Sequence, residues 1–175
     1  MRKIIIGFSH PNHSSLFSQG IMWWQGTPFS HTYIKFETDY GNIIYHAAKT
    51  MVHFVSEENF LKDNIVLYEF AYYVNEEEYK DSVRKAIQKA GIKYSICQII
   101  CIFWYELLQK LHIKSSKIEI NDSGEYICSE LAAGFVSYES DNMDYITPLQ
   151  VFNYIKDLSK TPKADLIFSL EGLPL

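Results

Sequence analysis

An α+β fold follows from three features of the sequence: strand-like segments crowd into the first half, helix-like segments into the second, and no repeat or linker divides the chain. With 175 residues, 47% of them hydrophobic, the chain can bury one core without help from metals or disulfides. A single domain over 1–175 is expected, with helices packed on a largely antiparallel sheet.

The elements read in order. Lys3 to Phe8 is a buried strand and Ser14 to Trp24 a short amphipathic helix. Thr32 to Phe36 and Asn42 to Ala47 are two strands joined by turn chemistry at Asp39, Tyr40 and Gly41, which predicts an antiparallel hairpin. A further strand runs from Ile65 to Tyr73. Asn75 followed by Glu76, Glu77 and Glu78 then opens a helix, the acidic residues favourably placed at its positive end, and Gly91 closes it. Ser95 to Leu111 reads as a mostly buried helix, and Cys128 to Val136 as another, entered after the Asp122-Ser123-Gly124 turn. Pro148 suits the first turn of a last helix reaching Ile155, and Leu166 to Leu170 returns as an edge strand.

Charge and cysteine usage restrict the function classes. A formal net charge of -5 argues against a general grip on nucleic acid or anionic lipid, which needs clustered Lys and Arg. The numerous Tyr and Phe residues therefore read as core and sheet surface instead of base-stacking platforms. The apolar run after Met1-Arg2-Lys3 breaks at Gly7, too soon for an export signal. Ile96 to Leu108, interrupted by Gln98 and Glu106, is shorter than the roughly 20 residues of a membrane span. Three cysteines with no C-x-x-C pair suggest a reducing compartment, so a soluble cytoplasmic protein without a membrane segment is expected.

The chemistry centres on Cys128, which follows a turn and opens an apolar helical stretch. Free N–H groups and the positive helix end there favour a thiolate, and the Cys128 N–H can point at an oxyanion. The competing structural reading is a small buried residue. Cys97 and Cys101, four apart amid Ile96, Ile99, Ile100 and Ile102, read as core residues and a poor metal site.

A nucleophilic cysteine needs a base and a group that orients the base. His31 stands at the entry of the Thr32 to Phe36 strand and His46 near the end of the next. A four-residue loop places them directly opposite; a two-residue turn makes them diagonal neighbours. Both registers keep the rings on one face, because a shift of two preserves side-chain parity. His10 and His13 form an H-x-x-H on an expected loop without a convincing third ligand, and His53 and His112 have no company that suggests chemistry. Of Trp23 and Trp24, adjacent on one short helix, one is expected to border a cleft or a partner.

Phe29-Ser30-His31-Thr32-Tyr33-Ile34, Ile44-Tyr45-His46-Ala47, Tyr126-Ile127-Cys128-Ser129-Glu130-Leu131 and Thr147-Pro148, in this order, resemble the permuted papain-like branch of the NlpC superfamily. That branch includes the YiiX-like hydrolases and, more distantly, lecithin retinol acyltransferase; its histidine strand precedes its cysteine helix. The likeness runs from Ile4 to about Ile155 and is most specific at Tyr-x-Cys-Ser-Glu-Leu. Similar small bacteriophage proteins share the Gly7-Phe8-Ser9 opening, often with Gln at the position of His46.

The resemblance implies a circularly permuted papain-like fold with Cys128 as nucleophile, His31 as general base and His46 as the residue orienting it. Tyr94 is implied as a lining residue, with Ser9 and Trp24 as looser substrate-binding candidates. The expected activity is a cysteine-dependent hydrolase, an amidase or peptidase, with acyl transfer to another acceptor using the same residues. It needs no cofactor and no metal. Candidate substrates are a peptide, a peptidoglycan fragment, an isopeptide or a lipid ester. The alternatives are a non-catalytic binding module, such as a viral host-interaction factor, and a metal-binding protein using His10, His13 and His31.

Overall fold

The computed structural model describes residues 1–13, 15–48, 50–112, 125–136, 138 and 146–173. The elements are β1 (Arg2–Pro11), α1 (Leu16–Gln25), β2 (His31–Thr38), β3 (Gly41–Ala48), β4 (Met51–Ser56), α2 (Glu57–Asp63) and β5 (Asn64–Val74). They continue with α3 (Glu76–Lys89), α4 (Ile96–Lys110), α5 (Cys128–Phe135), α6 (Pro148–Leu158) and β6 (Ala164–Ser169). Among the described residues one sheet holds the six strands in the order β4-β3-β2-β1-β5-β6, every neighbour antiparallel. The α+β class and the antiparallel sheet are as expected. The Asp122-Ser123-Gly124 turn lies outside the described residues, as does Ser14.

Strand alternation divides the sheet into two unequal faces. Ile4, Ile6 and Phe8 of β1, Ile34 and Phe36 of β2 and Tyr68, Phe70 and Tyr72 of β5 enter the main core with α3, α5 and α6. On the other face Tyr33, Ile44 and Phe60 form a smaller cluster beneath α2. That side also holds a buried polar network. The Tyr33 hydroxyl donates to Glu69 Oε1 at 2.6 Å, and Lys35 Nζ donates to Glu69 Oε2 at 2.6 Å and Glu57 Oε1 at 3.0 Å. Asn42 donates to Glu57 Oε2 at 2.7 Å, completing the attachment of α2 to the sheet.

Local signals explain most boundaries. Asn75 and Glu78 form a capping box on α3, and Thr147 and Gln150 form another on α6, with Pro148 in its first turn. The β2–β3 turn has two residues, since Thr38 pairs with Gly41, whose φ of 119° suits glycine. This settles the hairpin register as the diagonal one for His31 and His46.

β4 and α2 were unforeseen, and three expectations are corrected. α4 is not mostly buried: among its described residues only Gln98, Ile99 and Ile102 are, because the helix packs chiefly on Ile21, Trp24 and Ile127, while Ile96, Ile100 and Trp104 are exposed. Cys97 is consequently exposed and Cys101 half-buried, so neither is a core residue. His10 lies within β1, not on a loop, with Nδ1 donating to the Pro11 carbonyl at 2.9 Å. Among the described residues no helix is long and apolar enough to cross a membrane.

Candidate active site

The hairpin β2–β3–β4 builds a row of three imidazoles. His46 and His53 are direct cross-strand partners, and His31 is the diagonal neighbour of His46 on the same face. His31 Nε2 lies 3.0 Å from His46 Nδ1, and His46 Nε2 lies 3.2 Å from His53 Nε2. The row ends on the main chain, with His53 Nδ1 3.1 Å from the Met51 carbonyl oxygen. Phe60 of α2 lies beside the row, its ring centroid 6.4 Å from that of His31 and 5.2 Å from that of His46. The reading that His53 has no chemical company is therefore wrong. What hid it was β4: once that strand is recognised, His53 falls opposite His46.

Cys128 belongs to the other face, at the first turn of α5 in the main core. The N-cap of α5 is Ile127, which offers no side-chain hydrogen bond, so the free N–H groups of this turn are not consumed by a cap. Thr32, the residue after His31, connects the two halves. Its N–H and hydroxyl, with the N–H groups of Ser129 and Cys128, favour the sulfur anion. The Thr32 hydroxyl is buried and makes no well-formed hydrogen bond among the described residues. Ser129 Oγ donates to the Ile146 carbonyl and ties the turn to the start of α6.

Burial nevertheless dominates the thiol. It pushes the Cys128 pKa up although those donors favour the anion. Burial also drives His31 down to about 4, helped by the nearby His53. Near neutral pH the resting pair is a thiol and a neutral imidazole.

No family model and no curated protein matches this chain.

The expected site residues fall into two groups. His31 and His46 line a cavity of about 540 Å³, together with His53, Phe17, Val55 and Phe60. Cys128 and Trp24 line a second cavity of about 20 Å³, space for roughly one water. Among the described residues no hydrogen bond joins the Cys128 sulfur to the His31 ring. Ile21, Ser30 and Tyr94 line both cavities and form the partition between them. Burial raises the Tyr94 pKa well above the ordinary phenol value, with Cys128 adding to the effect.

Trp24, 8% exposed, packs edge-on against Phe103 with centroids 5.4 Å apart, whereas Trp23 is 82% exposed. The tryptophan near a cleft is thus Trp24. Ser9 pairs with His31 across β1 and β2 but is fully buried and lines neither cavity. Thr32 is the second residue that sequence reasoning missed; its position beside His31 was the available signal. Among the described residues no group of three or more His, Cys, Asp or Glu is placed to hold a metal ion. His13 lines the larger cavity without His10.

Proposed function

We propose that this protein is a cysteine-dependent hydrolase of amide or ester bonds on a circularly permuted papain-like fold, with Cys128 as nucleophile, His31 as base and His46 orienting the base. The observation that carries the reading is the convergence at Thr32. An uncapped helix start presents Cys128 to the N–H of Thr32, the residue that follows the hydrogen-bonded His31.

Because the resting pair is neutral, the proton moves as the substrate is attacked. The step requires the partition at Ile21, Ser30 and Tyr94 to open so that thiol and imidazole meet; Cys128 Sγ then bonds to the carbonyl carbon while its proton passes to His31 Nδ1, the ring nitrogen not engaged by His46. The carbonyl π pair moves onto oxygen, where the Cys128 N–H can receive it. Collapse expels the amine or alkoxide, which takes the proton from His31 and leaves a thioester. Water attacks this thioester through the same base and restores the thiol; an alcohol or amine in its place makes the reaction an acyl transfer.

The larger cavity has the volume of a small-molecule or peptide-end site, and Phe17, Ile21, Val55 and Phe60 give it apolar walls. A peptide, a peptidoglycan fragment, an isopeptide or a lipid ester fits this chemistry. A second reading, a binding module that keeps the fold, is favoured by the closure of Cys128, 5% exposed behind the Tyr94 partition.

The test is acetylation by p-nitrophenyl acetate, mapped by peptide mass spectrometry, with the exposed Cys97 as internal control. Acetylation at Cys128 that slows by about 10²-fold or more in His31→Ala is expected, the usual share of general-base catalysis. Labelling of Cys97 with none at Cys128, or equal rates at Cys128 in both proteins, would sink the hydrolase and leave the binding module.

A further inference from the structure

The Met51 carbonyl sets a direction for the whole histidine row. A carbonyl oxygen only accepts, so His53 Nδ1 carries the hydrogen of the 3.1 Å bond between them. In a neutral ring the His53 lone pair is then on Nε2, where it accepts from His46 Nε2 at 3.2 Å. His46 in turn keeps its lone pair on Nδ1 and accepts from His31 Nε2 at 3.0 Å. With all three rings neutral this is the one consistent assignment, and it puts the His31 lone pair on Nδ1.

From this chain we propose that His53 is a positioning residue, which passes the polarity of the Met51 carbonyl through His46 and holds His31 in the tautomer whose Nδ1 is a free base. The proposal rests on the roles given above to Cys128 and His31. It explains a feature those roles alone do not need: a third histidine placed directly across the β3–β4 ladder from His46, with ring centroids 4.5 Å apart. Without an acceptor at His53, the row no longer holds the His46 hydrogen on Nε2, and it can move to Nδ1. The bond to His31 then runs in reverse, with His31 Nε2 accepting and Nδ1 protonated. A neutral His31 in that form has no lone pair for the thiol proton.

His46 is buried and Phe60 lies beside it, so water cannot freely take the place of the His53 nitrogen. Among the described residues these three rings are not placed to hold a metal ion together. Each described bond spends a nitrogen on a neighbouring ring or on a main-chain carbonyl instead of turning it toward a common point.

The experiment compares the full chain with His53→Leu and His53→Gln. The Gln side chain keeps an acceptor oxygen near the place of Nε2; Leu does not. Long-range nitrogen–proton correlation spectra of histidine-labelled protein at pH 8, above the ordinary histidine range, distinguish protonated from unprotonated ring nitrogens. The expected wild-type spectrum has His31 protonated at Nε2 and bare at Nδ1. Mixed protonation is expected in His53→Leu, with the wild-type pattern back in His53→Gln.

Acetylation of Cys128 should fall about tenfold or more in His53→Leu, the range that outer partners of histidines command, and recover in His53→Gln. A wild-type His31 protonated at Nδ1, or a His31 pattern identical in wild type and His53→Leu, would overturn the proposal. The spectrum does not depend on Cys128 chemistry. If His31 responds to His53 while acetylation ignores both histidines, the tautomer relay is upheld and the hydrolase reading alone falls.

Discussion

Replacing Gly7 by alanine should cost the fold about 2.5–6 kcal/mol, and the structure says where the cost arises. Gly7 of β1 lies between Tyr33 of β2 and Glu69 of β5, its register partners on either side. The Tyr33 ring crosses over the glycine so that its hydroxyl can donate to Glu69 Oε1 at 2.6 Å. A Cβ built on Gly7 falls inside that ring, at a residue only 1% exposed. The ring must therefore leave. Losing a hydrogen bond to a charged group costs about 1.5–3 kcal/mol, and overpacking a core adds about 1–3.

Urea unfolding of a double-mutant cycle measures this. In a Tyr33→Ala background the same Gly7→Ala change should cost little, because the obstruction is gone. The reasoning fails if Gly7→Ala costs under about 1 kcal/mol alone, or the same in both backgrounds. Because Tyr33 packs on Phe60 with centroids 4.7 Å apart, and Phe60 lies beside His31 and His46, the displacement should also loosen the histidine row.

Acid should weaken the fold through His31. Its pKa is depressed to about 4, so the stability it contributes is full above the unfolded value near 6.5 and is lost as pH falls through 4. That shift is worth up to about 3 kcal/mol, and a His31→Gln variant should lose that part of the pH dependence in urea melts at pH 7 and pH 4; parallel curves would refute it. Tyr94→Ala should remove the partition between the two cavities and speed labelling of Cys128 by a bulky maleimide, at about 2 kcal/mol in stability. Labelling no faster than in the wild type would mean that other groups close the thiol off.

The face shared by His31 and His46 was legible because period-2 alternation survives either turn geometry. The register itself was not, since Asp39, Tyr40 and Gly41 permit more than one loop. β4 escaped notice because Lys49 and Thr50 carry no Gly or Pro to mark a turn, and with it went His53. α2 did leave a trace: Ser56 accepts from the Asn59 N–H, and Glu57 and Glu58 follow, a helix start readable in advance. α4 misled for a different reason. An all-round apolar helix reads as buried, yet Ile96, Ile100 and Trp104 recur every four residues on an exposed stripe that no local pattern distinguishes from the packed one. The position of Cys128 at a helix start was readable; the burial that raises its pKa depends on tertiary packing.

The segment between α3 and α4 has a consequence for the order of assembly. Main-chain bonds from Gly91 and Tyr94 to Val52 and Thr50 clip this segment along β4, and Tyr126 then pairs beside Tyr94 just before Cys128. The histidine arm comes from one short contiguous stretch, whereas the thiol joins it across a sequence gap of about a hundred residues, an entropically slower closure. A chain still emerging from the ribosome can thus complete its histidine row long before Cys128 arrives. The sulfur acquires the Thr32 and Ser129 donors only after the chain has been made past residue 129, so the environment of this thiol belongs to a late stage of folding.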